Sequence, residues 1–420
     1  MPRPVRGGTS VTPSREHEGP APSRALARVV SDPEGFEAAW GQEALHATAA
    51  ELPGAFDDLF TLEAVDELLS NRGLRTPFLR LAKEGSIVSP ARFTRSGGVG
   101  AEIGDQIDDA AVARLFADGS TIVLQALQRT WAPLGAFARD LGAELGHPVQ
   151  VNAYVTPPSS RGFSAHYDIH DVFVLQIAGE KRWVAHAPVL DAPLRTQPWT
   201  ERRNDVERAV ADEPLFDVVL RPGDVLYLPR GFLHAAEALG AVSAHLTVGI
   251  HVVTRHALLQ ALVGLAANDE RLRRSLPVPL ELDDPALVGR ELEETRAALL
   301  GFLEELDPEH VAGALKTSLA TATRPEPVAP LRQVGASASV GPATCVRLRP
   351  GLRVELETTL HGTALTHPAG AIELGPTQEP AARALLEGAA WLVAELPGDE
   401  GSVVTLVRAL LADSIVVPVE

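Results

Sequence analysis

The sequence predicts a mainly β core carrying α-helical additions. Between Val149 and Val253 the chain is a series of short β-rich runs cut by turn residues: VQVNAYVT, TPPSSRGFS, DVFVLQIAG, KRWVAHAP, FDVVLRPGDVLYLPRGFLHAA and VSAHLTVGIHVV. Strands that follow one another without intervening helices close into an antiparallel sandwich or barrel. On either side of this region apolar residues recur at helical spacing. The 420 residues are 45% hydrophobic and 22% charged, which excludes a mainly disordered protein, and the length suits two or three domains.

Residues 1–30 contain Pro2, Pro4, Pro13, Pro20 and Pro22 with scattered Arg and no apolar periodicity, so a disordered tail is expected there. Residues 31–255 form the expected main domain, which opens with a helical prelude. FEAAWGQEALHATA reads as helical, and FTLEAVDELLSN does too, with Thr61 as N-cap and Gly73 beyond the end. SGGVGAEIGDQ at 96–106 has the spacing GxGxxxG outside any βαβ unit, which argues against a dinucleotide loop. Asp108–Ala117 and Ala126–Gly146 are expected helices, the second with an apolar face of Trp131, Leu134, Phe137, Leu141 and Leu145. After the β-rich centre, helices resume over 256–323, and RPEPVAP marks a linker at 324–340. Over 341–420 the run CVRLRPGLRVELE, then GAIELG, helices near 379–388 and 401–412, and a terminal IVVPV strand follow the order of a winged helix.

Lys and Arg number 37 against 55 Asp and Glu, a net charge of -18. That charge repels nucleic-acid backbones and favours cationic partners such as basic protein segments. Cys345 is the single cysteine, so any metal must sit on His, Asp or Glu. No run of about 18 apolar residues exists and the N-terminus has no hydrophobic signal segment, so a cytoplasmic protein without membrane partners is expected. Three of the 37 basic residues are lysines, Lys83, Lys181 and Lys316. In so arginine-biased a chain, a lysine calls for a reason.

The chemistry concentrates in the β-rich centre. In SAHYDIHD, His166 and Asp168 stand at i and i+2, so on a strand both leave one face and can share a cation. His234 follows a Pro-Gly-Asp turn, a strand and a Pro-Arg-Gly turn, which places it at a strand rim. Two imidazoles and one carboxylate make the facial triad suited to non-haem Fe(II), with three positions left open. His-x-Asp alone is a common surface pair; the PGD turn, the later His and the all-β setting distinguish it here. Lys181 follows His166 by 15 residues, after DVFVLQIAG and an expected turn at Gly179, at the start of a return strand. From there its ammonium could meet the distal carboxylate of a dicarboxylate; the plainer alternative is an exposed hairpin lysine.

NAYVTPPSSRGFSAHYDIHDVFVLQIAGEKRW and LRPGDVLYLPRGFLHAAEALGAVSAHLTVGI resemble the JmjC-domain cupins of the ribosomal-oxygenase group, which are Fe(II)- and 2-oxoglutarate-dependent protein hydroxylases. The resemblance spans about 150–250 and, more loosely, the helical prelude, helical connector and C-terminal winged helix. It implies a double-stranded β-helix of the jelly-roll/cupin (JmjC) type with His166, Asp168 and His234 as iron ligands. It further implies Lys181 as partner of the 2-oxoglutarate C5 carboxylate, Asn152 and Thr247 beside the cosubstrate, and oxygen as second cosubstrate. Gly249 lies where group members often present a hydroxyl, which it lacks. A protein or peptide substrate is implied, such as a His or Arg of a ribosomal protein.

The other aromatic and imidazole groups take plainer roles in this reading. His170 lines the pocket mouth, His245 packs in the sheet, Trp183 and Tyr227 belong to the barrel core, and His186, His251 and His256 have no recruiting spacing. Helices 256–323 carry more apolar surface (Leu258, Leu259, Leu262, Leu265, Leu292, Leu299, Leu300, Leu303) than one packing face needs, which predicts a homodimer through them. Competing functions are a JmjC-type demethylase, a peptide or small-molecule hydroxylase, a non-oxidative metal-binding cupin, and a DNA-binding regulator. Five Arg against ten Asp and Glu in 341–420 argue against the last, since a DNA-binding winged helix should be basic.

Overall fold

The computed structural model describes residues 25–100, 102–158, 160, 164–359 and 362–419, which divide into two units between residues 326 and 327. The first unit opens with α1 (Phe36–Ala39), β1 (Leu45–Ala47), α2 (Leu62–Asn71), β2 (Leu79–Lys83), β3 (Ser86–Ile87), α3 (Asp109–Ala117), β4 (Thr121–Leu124) and α4 (Ala132–Leu145). Thr61 and Asp108 cap α2 and α3, their side-chain oxygens accepting the Ala64 and Ala111 N–H groups. The core strands follow as β5 (Val149–Thr156), β6 (Asp171–His186), β7 (Phe216–Leu220), β8 (Val225–Leu228) and β9 (Leu233–Ile250), with α5 (Arg203–Ala209) between β6 and β7. They build a nine-stranded antiparallel sheet in the order β1-β8-β6-β9-β5-β4-β2-β3, with β7 on β6. Helices α6 (Arg255–Ala266), α7 (Pro285–Glu305) and α8 (Pro308–Ala322) complete the unit.

β6 and β9, of 16 and 18 residues, organise this sheet. They run antiparallel in two stretches, Asp171–Gln176 against His245–Ile250 and Glu180–His186 against Leu233–Leu239, with register shifts between. The bend in β6 needs Gly179: its φ is +63°, and a Cβ there would come within 2.2 Å of the Val242 carbonyl oxygen. The expected hairpin turn at Gly179 is therefore absent. DVFVLQIAG and KRWVAH are one bent strand, because glycine here supplies a kink that lets the strand pass from one set of neighbours to another.

The two sheet faces differ in what they bury. Val151, Ala153 and Val155 of β5, Phe173 and Leu175 of β6, and Leu246 and Val248 of β9 pack against Leu68 of α2, Val112 of α3, and Leu134, Phe137 and Leu141 of α4. Each such fully buried Leu or Phe contributes about 1.5–3 kcal/mol. The opposite face carries a smaller apolar cluster that includes Val172, Val174, Trp183, Leu226 and Leu228.

Several expectations are corrected. Residues 1–24 of the expected tail lie outside the described residues, as do Ser159 and 161–163 of TPPSSRGFS. Ala25, Val29 and Val30 are buried in the main core, so the ordered unit starts before residue 31. FEAAWGQEALHATA is helical only over α1; it then becomes β1, because Leu45–Ala47 pairs with β8, and a sheet edge outweighs local helix propensity.

The second unit contains α9 (Pro330–Ser339), β10 (Cys345–Leu348), β11 (Glu355–Thr359), β12 (Gly362–His367), β13 (Gly370–Leu374), α10 (Glu379–Leu386), β14 (Trp391–Leu392), α11 (Glu400–Ala412) and β15 (Val416–Pro418). Its strands form two three-stranded sheets, β14-β10-β15 and β11-β12-β13. CVRLRPGLRVELE is thus split between two sheets. The expected linker shrinks to 324–329, since Gln333 of α9 is buried and donates to the Leu411 and Val416 carbonyls at 2.8 and 2.7 Å.

Candidate metal centre

His166 and Asp168 precede β6, and His234 is the second residue of β9. The two histidines meet through a backbone bridge, His166 N–H to His234 O at 3.2 Å and His234 N–H to His166 O at 2.8 Å. Gly231 N–H donates to Asp168 O at 3.0 Å. The expected strand under His166 and Asp168 is thus a loop held by these bonds, yet it brings the two side chains together. Ligand atoms of His166, Asp168 and His234 all lie within 4.8 Å of one another, with His234 Nε2 3.8 Å from an Asp168 carboxylate oxygen.

Each imidazole is oriented from behind. His166 Nδ1 lies 2.8 Å from Ser164 O and His234 Nδ1 3.1 Å from Phe232 O. A carbonyl only accepts, so Nδ1 carries the proton in both rings, and the His234 Nε2 lone pair is left for a cation. Burial, with His166 adding to it, pushes His234 down to about 4. Burial acts to raise Asp168, but His170, His234 and His166 around it hold it below the usual carboxylate range. Neutral imidazoles and an ionised carboxylate are what a divalent cation requires, and this donor set fits non-haem Fe(II).

The triad opens onto a cavity of about 590 Å³, counted with its mouth. Lys181 reaches the same cavity from β6, 3% exposed. Its Nζ lies 3.1 Å from Thr156 Oγ1 and 3.5 Å from His245 Nδ1. Among the described residues no carboxylate forms an ion pair with it, and burial pushes it down to about 7. It is no hairpin lysine on the surface.

The remaining candidates divide. Thr247 lines the cavity. Asn152 faces Thr247 across the β5–β9 ladder, with its Oδ1 accepting the Ala126 N–H at 3.0 Å. Gly249 lies against the His170 imidazole, which a Cβ would approach to 3.1 Å. Trp183 is buried in the apolar cluster as expected and also lines the cavity; His245, expected to pack in the sheet, lines it too, as does Tyr154, whose ring stacks on His245 at 5.1 Å and 4°. Tyr227 is core, donating to buried Asp171 at 2.6 Å.

The JmjC domain family model matches residues 137–258. Over 139 residues the chain is 35% identical to the bifunctional lysine-specific demethylase and histidyl-hydroxylase NO66 of Drosophila persimilis, covering 31% of this chain and 19% of that protein. It is 36% identical over 175 residues to ribosomal oxygenase 1 of Homo sapiens, covering 40% of this chain and 27% of that protein. The chain thus spans about a fifth to a quarter of these relatives' length. Among solved structures, YcfD, a ribosomal oxygenase from Escherichia coli, in complex with cobalt and 2-oxoglutarate, matches with a TM-score of 0.54 and 19% identity over 92% of this chain and 98% of that one. Residues 137–258 therefore match the JmjC domain family, the chain has homology to ribosomal oxygenase 1 and NO66, and its fold is similar to that of YcfD.

The geometry makes metal binding separable from folding, because an open three-ligand site contributes less to stability than a closed structural one. His166→Ala and Asp168→Ala are expected to abolish Mn(II) binding in isothermal titration calorimetry, beyond the 10–100-fold loss typical of a supporting residue. Their circular dichroism should match wild type; full-strength Mn(II) binding by either would remove the triad assignment.

Proposed function

We propose that this chain, with its JmjC domain, is an Fe(II)- and 2-oxoglutarate-dependent oxygenase that hydroxylates a protein side chain, with a His or Arg of a ribosomal protein as the target. The observation that carries this reading is one cavity holding both a facial triad and a buried ammonium without a carboxylate partner. A non-oxidative cupin would have no use for that ammonium, while a chelating dicarboxylate needs both ends. The relatives' names, histidyl-hydroxylase and ribosomal oxygenase, support the same reading.

In this mechanism Fe(II), with 2-oxoglutarate and oxygen, supplies C–H hydroxylation with release of succinate and carbon dioxide. His166, Asp168 and His234 would hold the metal. Lys181 answers the distal carboxylate with a point charge. Thr247 presents a hydroxyl to the cosubstrate, and the Asn152 amide nitrogen is left for it while Oδ1 holds Ala126. Val172, Val174 and Leu228 line the cavity and keep it poor in water, which strengthens each of these contacts.

The substrate is tested by intact-mass comparison of ribosomal proteins from wild-type and deletion strains. One protein lighter by a single oxygen in the deletion strain supports the reading. A protein that instead gains methyl groups would replace it with the demethylase, and unchanged masses throughout would remove ribosomal proteins as substrates.

Removal of the Lys181 ammonium leaves a carboxylate without its partner in a desolvated pocket, a loss of about 2–4 kcal/mol. Lys181→Ala should therefore bind 2-oxoglutarate roughly thirty- to a thousandfold more weakly with metal affinity little changed, as titration calorimetry on Mn(II)-loaded protein would show. The free ammonium loses its proton near 7, and the bound carboxylate requires it. Wild-type affinity should accordingly be greatest below pH 7 and fall by up to about tenfold per unit above it, whereas Lys181→Arg should give weaker but pH-independent binding from 6 to 9.

The reading extends to the rest of the chain. None of the 21 residues of α7 is buried, and Leu292, Leu300, Leu259 and Val263 are more than half exposed, an apolar surface that suits a homodimer through α6–α8. The winged-helix-like second unit, acidic in charge, then serves dimer support or substrate binding and not DNA. No helix among the described residues is long and apolar enough to cross a membrane, and a cytoplasmic enzyme is proposed. Light scattering should give twice the 44.6 kDa chain mass at micromolar concentration, and Leu292→Arg with Leu300→Arg should halve it; a wild-type monomer refutes the dimer.

A further inference from the structure

His245 has no part in the chemistry so far, yet it is 3% exposed, lines the cavity and faces Lys181. Its ring is clamped on two sides. Tyr154 stacks on it at 5.1 Å and 4°, and the Trp183 indole meets it edge-on at 5.3 Å and 86°. Such a ring cannot turn, so the place of Nδ1 is set by packing.

Nδ1 lies 3.5 Å from the Lys181 ammonium, and Thr156 Oγ1 lies 3.1 Å from it on another side. An ammonium has three N–H donors. Two are directed at these acceptors, which leaves one for a ligand in the cavity. Neither acceptor is an anion: Thr156 is a hydroxyl, and burial, then Lys181 itself, holds His245 well below its usual value and so neutral. A neutral imidazole beside an ammonium can face it only through its unprotonated nitrogen. A carboxylate at position 245 would occupy the charge that the cosubstrate needs, and an apolar residue would leave a four-carbon side chain free to adopt other rotamers.

We propose that His245 is a positioning residue for cosubstrate binding: its fixed Nδ1, with Thr156, aims the Lys181 ammonium into the cavity without neutralising it. This rests on the oxygenase reading, because the ligand aimed at is the distal carboxylate of 2-oxoglutarate.

Three variants separate the acceptor from the packing. His245→Phe keeps a ring for Tyr154 and Trp183 and removes the nitrogen, His245→Gln keeps an acceptor and loses the stack, and His245→Phe with Lys181→Ala closes a double-mutant cycle. The measurement is titration calorimetry of 2-oxoglutarate into Mn(II)-loaded full-length protein, with Mn(II) binding and circular dichroism on each variant. Expected for His245→Phe is a roughly five- to tenfold weaker cosubstrate affinity, the worth of one hydrogen bond, with Mn(II) affinity unchanged. His245→Gln should recover part of that loss, and His245→Phe should add nothing once Lys181 is Ala. Wild-type affinity in His245→Phe, or an undiminished further loss in the Lys181→Ala background, overturns the positioning role while 2-oxoglutarate binding by wild type leaves the oxygenase reading standing. Absence of 2-oxoglutarate binding by Mn(II)-loaded wild type overturns both.

Discussion

The carboxylate of Asp171, with none of its surface exposed, ties together the two segments on which the metal centre stands. It accepts the Tyr227 hydroxyl at 2.6 Å, the Arg230 backbone N–H at 3.1 Å and the Arg230 guanidinium at 3.5 Å. Tyr227 ends its bonding by accepting the Gly41 N–H at 2.9 Å. A buried carboxylate left short of donors is costly, and one satisfied on both oxygens fixes whatever supplies them. Here the donors come from the end of β8 and the turn that leads into His234, while Asp171 itself begins β6 three residues after Asp168. The turn then returns a bond of its own, Gly231 N–H to Asp168 O. His166 and His234, 68 positions apart in the sequence, are thereby set against each other.

Satisfaction of that network contrasts with the other end of the cavity. Burial of an ammonium without an anion costs several kcal/mol, and a chain built only for stability would place an apolar residue at 181 or give it a carboxylate. The outer face of the same strands follows the ordinary rule, with Phe173, Leu175, Leu246 and Val248 packed on helices. One sheet thus stabilises the domain with one face and carries an unfavourable charge on the other. Departures from local rules concentrate where function needs them.

The candidate triad was legible because its spacing is local: His-x-Asp needs only two residues, and the PGD and PRG turns announce His234. Lys181 was legible through rarity in an arginine-rich chain. His245 was not, and the reason is parity. On β6 the cavity-lining residues are Val172 and Val174 before the bend but Lys181 and Trp183 after it, and on β9 they are His234, Ala235 and Ala236 but then His245 and Thr247. The register shifts near Leu239–His245 change even to odd, so simple alternation read from His234 places His245 on the wrong face. Gly179 was misread for a related cause, since positive φ serves a turn or a bend equally and the distinction lies in Val242 across the ladder. The buried start at Ala25 and the docking of Gln333 are likewise long-range facts. A Pro- and Arg-rich segment carries no local sign of either.

That ladder also decides what the cavity can hold. His234 pairs with Ala185, Ala236 with Trp183 and Ala238 with Lys181, so the His234 imidazole and the ammonium stand on one face, four residues apart along the strand. At about 3.3 Å per residue that is a backbone offset of roughly 13 Å, which the lysine side chain shortens by extending into the cavity. Under the proposed function, that offset suits a ligand with an anionic group at each end and a short chain between. A slip of one residue would turn Lys181 to the helix-packed face, and a slip of two would change the span by about 7 Å. Neither is available, because the bend at Gly179 admits no side chain and the two stretches of β6 and β9 are pinned on either side of it. The span between the triad and Lys181 is therefore written in strand register, and what enforces it is Gly179, two residues before Lys181, with the register shift that lies across the ladder from it.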